Sequence, residues 1–532
     1  MRRPGARIPG LVALAAAAPM LASAISVLIQ RPVIYFDGDQ AVDEMALIRA
    51  GHLAQLVGNY SRVGWEHPGP AWFYALAVVY EPLGGESWAF VVATLIFQAV
   101  VALLILYVCW RIAGLPLVAA GSVLLLVYMA LMGDQLFRNV WPPFAVILPM
   151  LLLLLLAALG AAGSNPALAA ALVAGSFEAQ THVGTAPTVA VVVATAIVLR
   201  VVMERKATSQ PRWSVRAPER WDRPLAIAAL ALLVAMWIPP LIDEATGHPG
   251  NLSVLFTFFT THGSQRGFHA AVSALGRFVD VFEFPKLTSF GDADVSTPSN
   301  GYIAAAAAFA AVCGALAVAG ARVKDRFVLA IGVILLAAMG AITLSIRDVF
   351  GVVYDYLLLW VTTLPVAFLL GCVALAVRRP PDLRARVPAR VRVPLALVGA
   401  LVLVALGAGQ AAAFVALPPD PLAVQHTDRL SSAAVSAVSA DPGQPVLIEP
   451  TRIATWTVAA GVGLQLVKHG HPIRVESQWT FMFGSQARVT GDERFAITFL
   501  TTEDAAGYEQ AHPDATVIAS SDVFVLLLRK IR

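Results

Sequence analysis

At 532 residues the chain is long enough for several domains, yet only 13% of it is charged against 58% hydrophobic, with a mean hydropathy of +0.73. A soluble core cannot absorb that much apolar surface, so the composition excludes an ordinary soluble enzyme and puts most of the chain in lipid. The net charge of +3 resides in short basic loops and points to no nucleic-acid partner. Three cysteines without CxxC spacing exclude a cysteine-based metal or redox centre.

A helix that crosses a bilayer needs about 20 mostly apolar residues, and roughly eleven stretches qualify. In chain order they are 10–30, 86–111, 114–132, 142–162, 167–181, 185–203, 225–242, 302–320, 327–345, 352–377 and 394–417. Residues 1–30 carry no small-residue cleavage site before a soluble domain and read as a retained first span. The apolar run 70–84 is short for a span. It reads as a half-embedded helix whose Trp72, Phe73, Tyr74 and Tyr80 lie at the outer interface.

Arginine and lysine concentrate before the first span (Arg2, Arg3, Arg7), in 204–224, in the turn Arg322–Arg326 and after residue 377. The positive-inside rule makes these segments cytoplasmic. The N-terminus is then inside, while the first loop 31–85, the long loop 243–301 and the segment 418–532 are extracytoplasmic. After a Pro-, Ser- and Ala-rich linker, 445–449, 473–475, 495–500, 516–518 and 524–528 read as strands, with helices at 455–468 and 503–511. The expectation is a polytopic α-helical protein of the plasma membrane with about eleven spans. It divides into a membrane module, 1–417, and a small extracytoplasmic α/β domain, 418–532.

Chemistry is sought where ionisable groups gather at the membrane edge, because they are costly to keep there. Five outer groups stand out. The first loop holds Asp37, Asp39, Asp43, Glu44, Tyr60, Arg62 and His67. The next carries Asp134, Arg138 and Trp141, and the third Glu178, Gln180 and His182. Asp243 and Glu244 form the fourth, and Arg347 and Asp348, with Tyr354, Asp355 and Tyr356, the fifth. A membrane-edge carboxylate can take a proton from an attacking hydroxyl, while arginine, histidine and tyrosine hold a departing phosphate. Arginine suits that phosphate because its fork engages two oxygens.

With Asp39-Gln40-Ala41 after the first span, His67-Pro68-Gly69-Pro70 before an aromatic helix and Asp134 in the second outer loop, the chain resembles the membrane module of the GT-C superfamily. That superfamily includes protein O-mannosyltransferases, lipid A aminoarabinose transferases and actinobacterial arabinosyl- and mannosyltransferases. The likeness covers roughly 10–205 and departs at Gln40, where many relatives have Glu, and at the Pro-Gly-Pro turn. It implies a glycosyltransferase taking a hexose or pentose from a polyprenyl-phosphate sugar to a cell-envelope glycan, glycolipid or protein. Asp39 and Asp134 are then catalytic, with Asp39 the base for an inverting displacement. Glu44, Tyr60, Arg62, His67, Arg138, Gln180, His182, Asp243 and Arg347 bind substrate. No metal ligand is assigned, although a metal-dependent variant would add Mg or Mn beside Asp134. The composition is similar to that of a high-GC actinobacterium.

Plainer readings stand beside these. Asp39 caps a helix; Arg62 and Arg138 snorkel to headgroups; His67 shapes a turn; Asp243 and Glu244 start a loop. The phenylalanines between 253 and 286 either form a flap at the interface or line a loop core. The alternative functions are a transporter or flippase for a lipid-linked precursor, and a non-catalytic envelope scaffold. Transporters keep coupling charges near the midplane and show repeated halves, whereas these spans are nearly charge-free.

Overall fold

The computed structural model describes residues 7–209, 222–287, 294–378, 389–417 and 427–531, and within them leaves out the side chains of 7, 8, 134, 135, 206–209, 222, 389–398 and 400. Half of the sixteen arginines that carry the inside assignment, Arg2, Arg3, Arg212, Arg216, Arg220, Arg379, Arg384 and Arg386, lie outside the described residues. The chain divides into two compact units, one of residues 1–26 with 94–417 and the other of 27–93 with 418–532. The expected boundary at 417 is therefore joined by a second grouping, because the first loop packs with the C-terminal segment.

The membrane unit is helical. Among the described residues nine helices are long and apolar enough to cross a bilayer: Pro9–Gln30, Ser87–Ala113, Leu115–Met132, Pro142–Ala161, Val183–Arg205, Arg223–Thr246, Asn300–Arg322, Arg326–Arg347 and Leu359–Arg378. The other two expected spans are also helices, Asn165–Thr181 and Ala389–Ala416. The first has 17 residues, and the apolar part of the second is Leu401–Ala416. Helix Pro142–Ala161 is 94% buried across its apolar window and Arg223–Thr246 only 6%, so the first is the unit's centre and the second its outer face. Helix Asn165–Thr181 starts where Ser164 accepts a hydrogen bond from Ala167 N, and Arg326–Arg347 where Asp325 accepts from Phe327 N and Val328 N. Both are ordinary N-caps. Of the phenylalanines proposed as a flap, Phe256, Phe259, Phe268 and Phe282 are exposed.

In the other unit the five expected strands form one mixed sheet in the order β2-β1-β3-β5-β4. β1 (Val446–Pro450) runs parallel to both β2 (Ile473–Val475) and β3 (Phe495–Thr501). β5 (Phe524–Lys530) is antiparallel to β3 and to β4 (Thr516–Ser520). Helix Trp456–Lys468 makes the β1-to-β2 crossover that parallel strands require, and its buried face packs on the first-loop helix Gly38–Gly51. Gly461 permits this approach: a Cβ there would sit 2.7 Å from the Phe36 carbonyl oxygen.

One expectation is corrected here. Residues 70–84 do form a helix, Ala71–Tyr80 with a 3-10 turn Glu81–Leu83. Trp72, Phe73 and Tyr80, however, are 1%, 1% and 0% exposed and belong to the unit's core rather than to an interfacial surface. The reason is local: Tyr80 donates to Glu44 and sits edge-on to Phe90.

Candidate active site

The first-loop helix begins at Gly38, whose φ of +47° suits glycine. Its missing side chain leaves Trp456 and Thr457 at 3.5 and 3.4 Å from where a Cβ would stand. Asp37, in extended conformation, occupies the N-cap position. Asp39 thus lies in the first turn and is not the cap. Its half-buried carboxylate accepts a hydrogen bond from the Tyr60 hydroxyl. Burial raises the Asp39 carboxyl above its ordinary value, and the Tyr60 bond pulls it partly back.

Tyr60 stands on a hairpin closed by His67 N to Asn59 O at 2.7 Å, Gly58 N to His67 O at 2.9 Å and Ser61 N to Trp65 O at 2.8 Å. His67 therefore shapes this turn through its backbone, and its ring packs on Trp65 at 5.5 Å. Arg62 projects from the same hairpin and is exposed. The Tyr60 ring is held edge-on by Trp456 and Phe481, with centroids 6.3 and 6.0 Å away.

Two further acids follow on the helix, both fully buried. Glu44 is saturated: Lys468 Nζ lies 2.6 Å from Oε1, Tyr80 donates to Oε1 at 2.8 Å and Ser87 to Oε2 at 2.8 Å. Lys468 also donates to Ser87 Oγ at 2.8 Å. Expected to bind substrate, Glu44 instead joins the first loop to the C-terminal segment, because every oxygen it offers is already taken. Among the described residues Asp43 has no hydrogen-bond partner on either oxygen. Burial, reinforced by the charge of Asp39, pushes its carboxyl well above the ordinary range. Arg49 was not foreseen as a site residue. It donates to Gln55 Oε1 at 2.6 Å, and burial lowers it to about 10.

Asp39, Glu44, Tyr60, Arg62 and His67 share this unit. The remaining candidates belong to the membrane unit. Asp134 opens a 3-10 turn, Asp134–Phe137, and its side chain is outside the described ones. Arg138 is buried and donates from Nη1 to the carbonyls of Phe414 and Leu417 at 2.7 and 3.0 Å. This buried use of the guanidinium replaces the expected snorkel. Trp141 packs against Tyr356 at 4.6 Å, and Tyr356 stacks on Tyr354, so the second and fifth polar groups do meet.

Gln180 is buried and donates to Met236 O at 3.0 Å and Ser176 Oγ at 3.3 Å. His182 ends its helix, buried, and desolvation lowers it to about 4, so the ring is neutral at physiological pH. Glu178, one turn earlier, is 0% exposed and has no hydrogen-bond partner for either oxygen among the described residues. Asp243 and Glu244 lie in the last turns of helix Asp222–Thr246 rather than at the start of a loop, and accept from Asn251 N at 2.8 Å and Ser253 N at 3.1 Å at the beginning of the next helix. Arg347 contributes mainly its backbone carbonyl, which receives Gln265 N at 2.7 Å and Arg266 N at 3.2 Å. The cation that organises this loop is Arg266, which pairs with Asp294 at 3.1 Å and donates to Val349 O at 2.5 Å.

Lys468, Trp456, Phe481 and Arg266 escaped the sequence reading because their partners are remote in the chain, and no local periodicity marks them. Among the described residues no three His, Cys, Asp or Glu side chains gather as a cation-binding group.

No protein-family model and no curated protein matches the chain. Solved structures do. The crystal structure of ArnT from Cupriavidus metallidurans bound to undecaprenyl phosphate superposes over 98% of each chain, with a TM-score of 0.59 at 15% identity. The apo form of the same protein matches over 98% of each chain with a TM-score of 0.55, again at 15% identity. The chain therefore shares the fold of ArnT over 98% of its length, and not only over the 10–205 region that the motifs covered.

Proposed function

We propose that the chain is a membrane glycosyltransferase that moves a hexose or pentose from a polyprenyl-phosphate carrier to a cell-envelope glycan, glycolipid or protein on the extracytoplasmic side. The observation that carries this reading is the fold likeness, over 98% of the chain, to a protein crystallised with undecaprenyl phosphate. The half-buried Asp39, hydrogen-bonded at the start of a helix, supports it chemically.

In the proposed step Asp39 takes the proton from the acceptor hydroxyl as its oxygen bonds to the anomeric carbon. The bond from that carbon to the phosphate oxygen breaks, and polyprenyl phosphate departs with the electron pair, so the anomeric centre inverts. A base with a raised pKa suits this role, because it binds the proton more strongly than an exposed aspartate would. Arg62, exposed beside Tyr60 in sequence, is the first candidate for the departing phosphate. Arg138, His182 and Arg347 are further donors, and Asp134 orients the acceptor. The apolar helices accommodate the polyprenyl tail.

The test is transfer of label from radiolabelled polyprenyl-phosphate mannose and polyprenyl-phosphate arabinose in membranes carrying the full chain. Asp39→Asn is expected to lower the rate about 10²- to 10⁴-fold, the usual contribution of a general base. Undiminished transfer by the variant removes Asp39 from the mechanism. A wild type inert with both donors favours the transport reading.

A further inference from the structure

The unit that contains Asp39 is built from two remote pieces of chain, and the second piece stands directly behind the candidate base. Tyr60 reaches Asp39 with its hydroxyl. Its ring is meanwhile held by Trp456, at the start of the crossover helix, and by Phe481, in the short helix Thr480–Phe483 after β2. Both contacts are edge-to-face, at interplanar angles of 83° and 74°. This is the favourable arrangement for aromatic pairs. Trp456 also abuts Gly38, so one indole touches both the start of the Asp39 helix and the tyrosine that grips Asp39.

We propose that Tyr60 is a positioning residue for Asp39, and that the C-terminal segment, through Trp456 and Phe481, sets the place of Tyr60 and is thereby an integral part of the candidate catalytic centre. This rests on the reading of Asp39 as general base. A tyrosine hydroxyl donated to a carboxylate stabilises the anion and fixes which oxygen it occupies. Oδ1 is engaged by Tyr60, which directs the incoming proton to Oδ2. Without the aromatic brace the tyrosine could leave Asp39, and the base would lose both its orientation and its tuned affinity for a proton.

Other titratable groups stand on the helix of Asp39 and on its neighbouring elements. Asp43 and Glu44 lie on its own helix, Tyr74 and Tyr80 on helix Ala71–Tyr80, Lys468 on helix Trp456–Lys468, and Arg62, Glu66 and His67 on the hairpin. Glu44 and Lys468 neutralise one another. None of these is altered by the variants below.

The experiment reads the Asp39 carboxyl directly, as the infrared C=O band lost in Asp39→Asn, titrated on the purified full chain in lipid nanodiscs. Tyr60→Phe keeps the ring and removes only the hydroxyl. It is expected to raise the titration midpoint by roughly one pH unit. The pair Trp456→Leu and Phe481→Leu is expected to raise it in the same direction, while Trp456→Phe, which keeps an aromatic brace, leaves it unchanged. An unmoved midpoint in Tyr60→Phe overturns the proposal. So does a shift in Tyr60→Phe that the double leucine variant fails to reproduce, because the C-terminal segment would then have no hold on Tyr60. Since this readout needs no substrate, it fails or succeeds independently of the transfer assay that tests Asp39 as base. Where transfer is measured, the acid limb of its pH profile should move up with the infrared midpoint.

Discussion

Two glutamates of equal burial, both 0% exposed, meet opposite fates in the two units. In the unit of the first loop and the C-terminal segment, Glu44 is met by Lys468, Tyr80 and Ser87. In the membrane unit, Glu178 has no hydrogen-bond partner on either oxygen among the described residues. Burial alone therefore does not identify a functional acid. A saturated acid is a structural joint. An unsatisfied one is a cost that the fold bears without a packing return, which makes it the better candidate for work within the membrane.

The largest expected effect comes from breaking the joint. Lys468→Met leaves Glu44 buried without its cation and is expected to cost about 3–5 kcal/mol of stability, read as a fall in the unfolding midpoint of the purified chain. Adding Glu44→Gln should recover much of that loss, because the uncompensated charge is gone. If the single variant unfolds at the wild-type midpoint, the ion pair is not what holds the first loop to the C-terminal segment.

Glu178 should respond in the opposite direction. Replacing an unpartnered buried carboxyl by an apolar side chain of similar length, Glu178→Met, is expected to raise stability by about 1–3 kcal/mol. Transfer activity measured alongside separates cost from function: a more stable but slower protein marks Glu178 as working. A less stable one means that a partner of Glu178 is lost and that the contrast with Glu44 is weaker than the structure implies.

Much of the architecture was legible because it is written locally. Alternation over 495–500 and 524–528 matched β3 and β5, and the apolar run with its polar flanks matched helix Trp456–Lys468. Long apolar stretches located the spans; of the two outside the nine, Asn165–Thr181 has 17 residues and carries Glu178 and Gln180 near its end, and the apolar part of the other is Leu401–Ala416. The aromatic helix after His67-Pro68-Gly69-Pro70 misled because amphipathic aromatics look alike whether they meet headgroups or a partner helix. Only tertiary contact makes Trp72 and Tyr80 core residues. The site divides in the same way. Asp39 was legible as an acid in a helix's first turn after a span, but Trp456, Phe481 and Lys468 acquire meaning only once the last hundred or so residues fold against the first loop.

The smallest effect, and the finest test of the contrast, lies next to Glu44 on the same helix. Asp43 is as buried as its neighbour but has no hydrogen-bond partner among the described residues, and burial together with the charge of Asp39 raises its carboxyl well above the ordinary value of 3.8. A carboxyl with a raised folded-state pKa binds its proton more tightly in the fold than in the unfolded chain. The associated stability is therefore fully present below about pH 3.8, and it is lost as pH rises through the higher folded value. Wild-type stability should decline across that window on the alkaline side of 3.8. Asp43→Asn, which cannot ionise, should flatten the decline while keeping side-chain volume, whereas Glu44→Gln should leave the slope in place. Parallel pH profiles for wild type and Asp43→Asn, measured by thermal unfolding in the same detergent, would mean that Asp43 is ionised and solvated in the fold. The two adjacent acids would then not be the opposites that their surroundings make them.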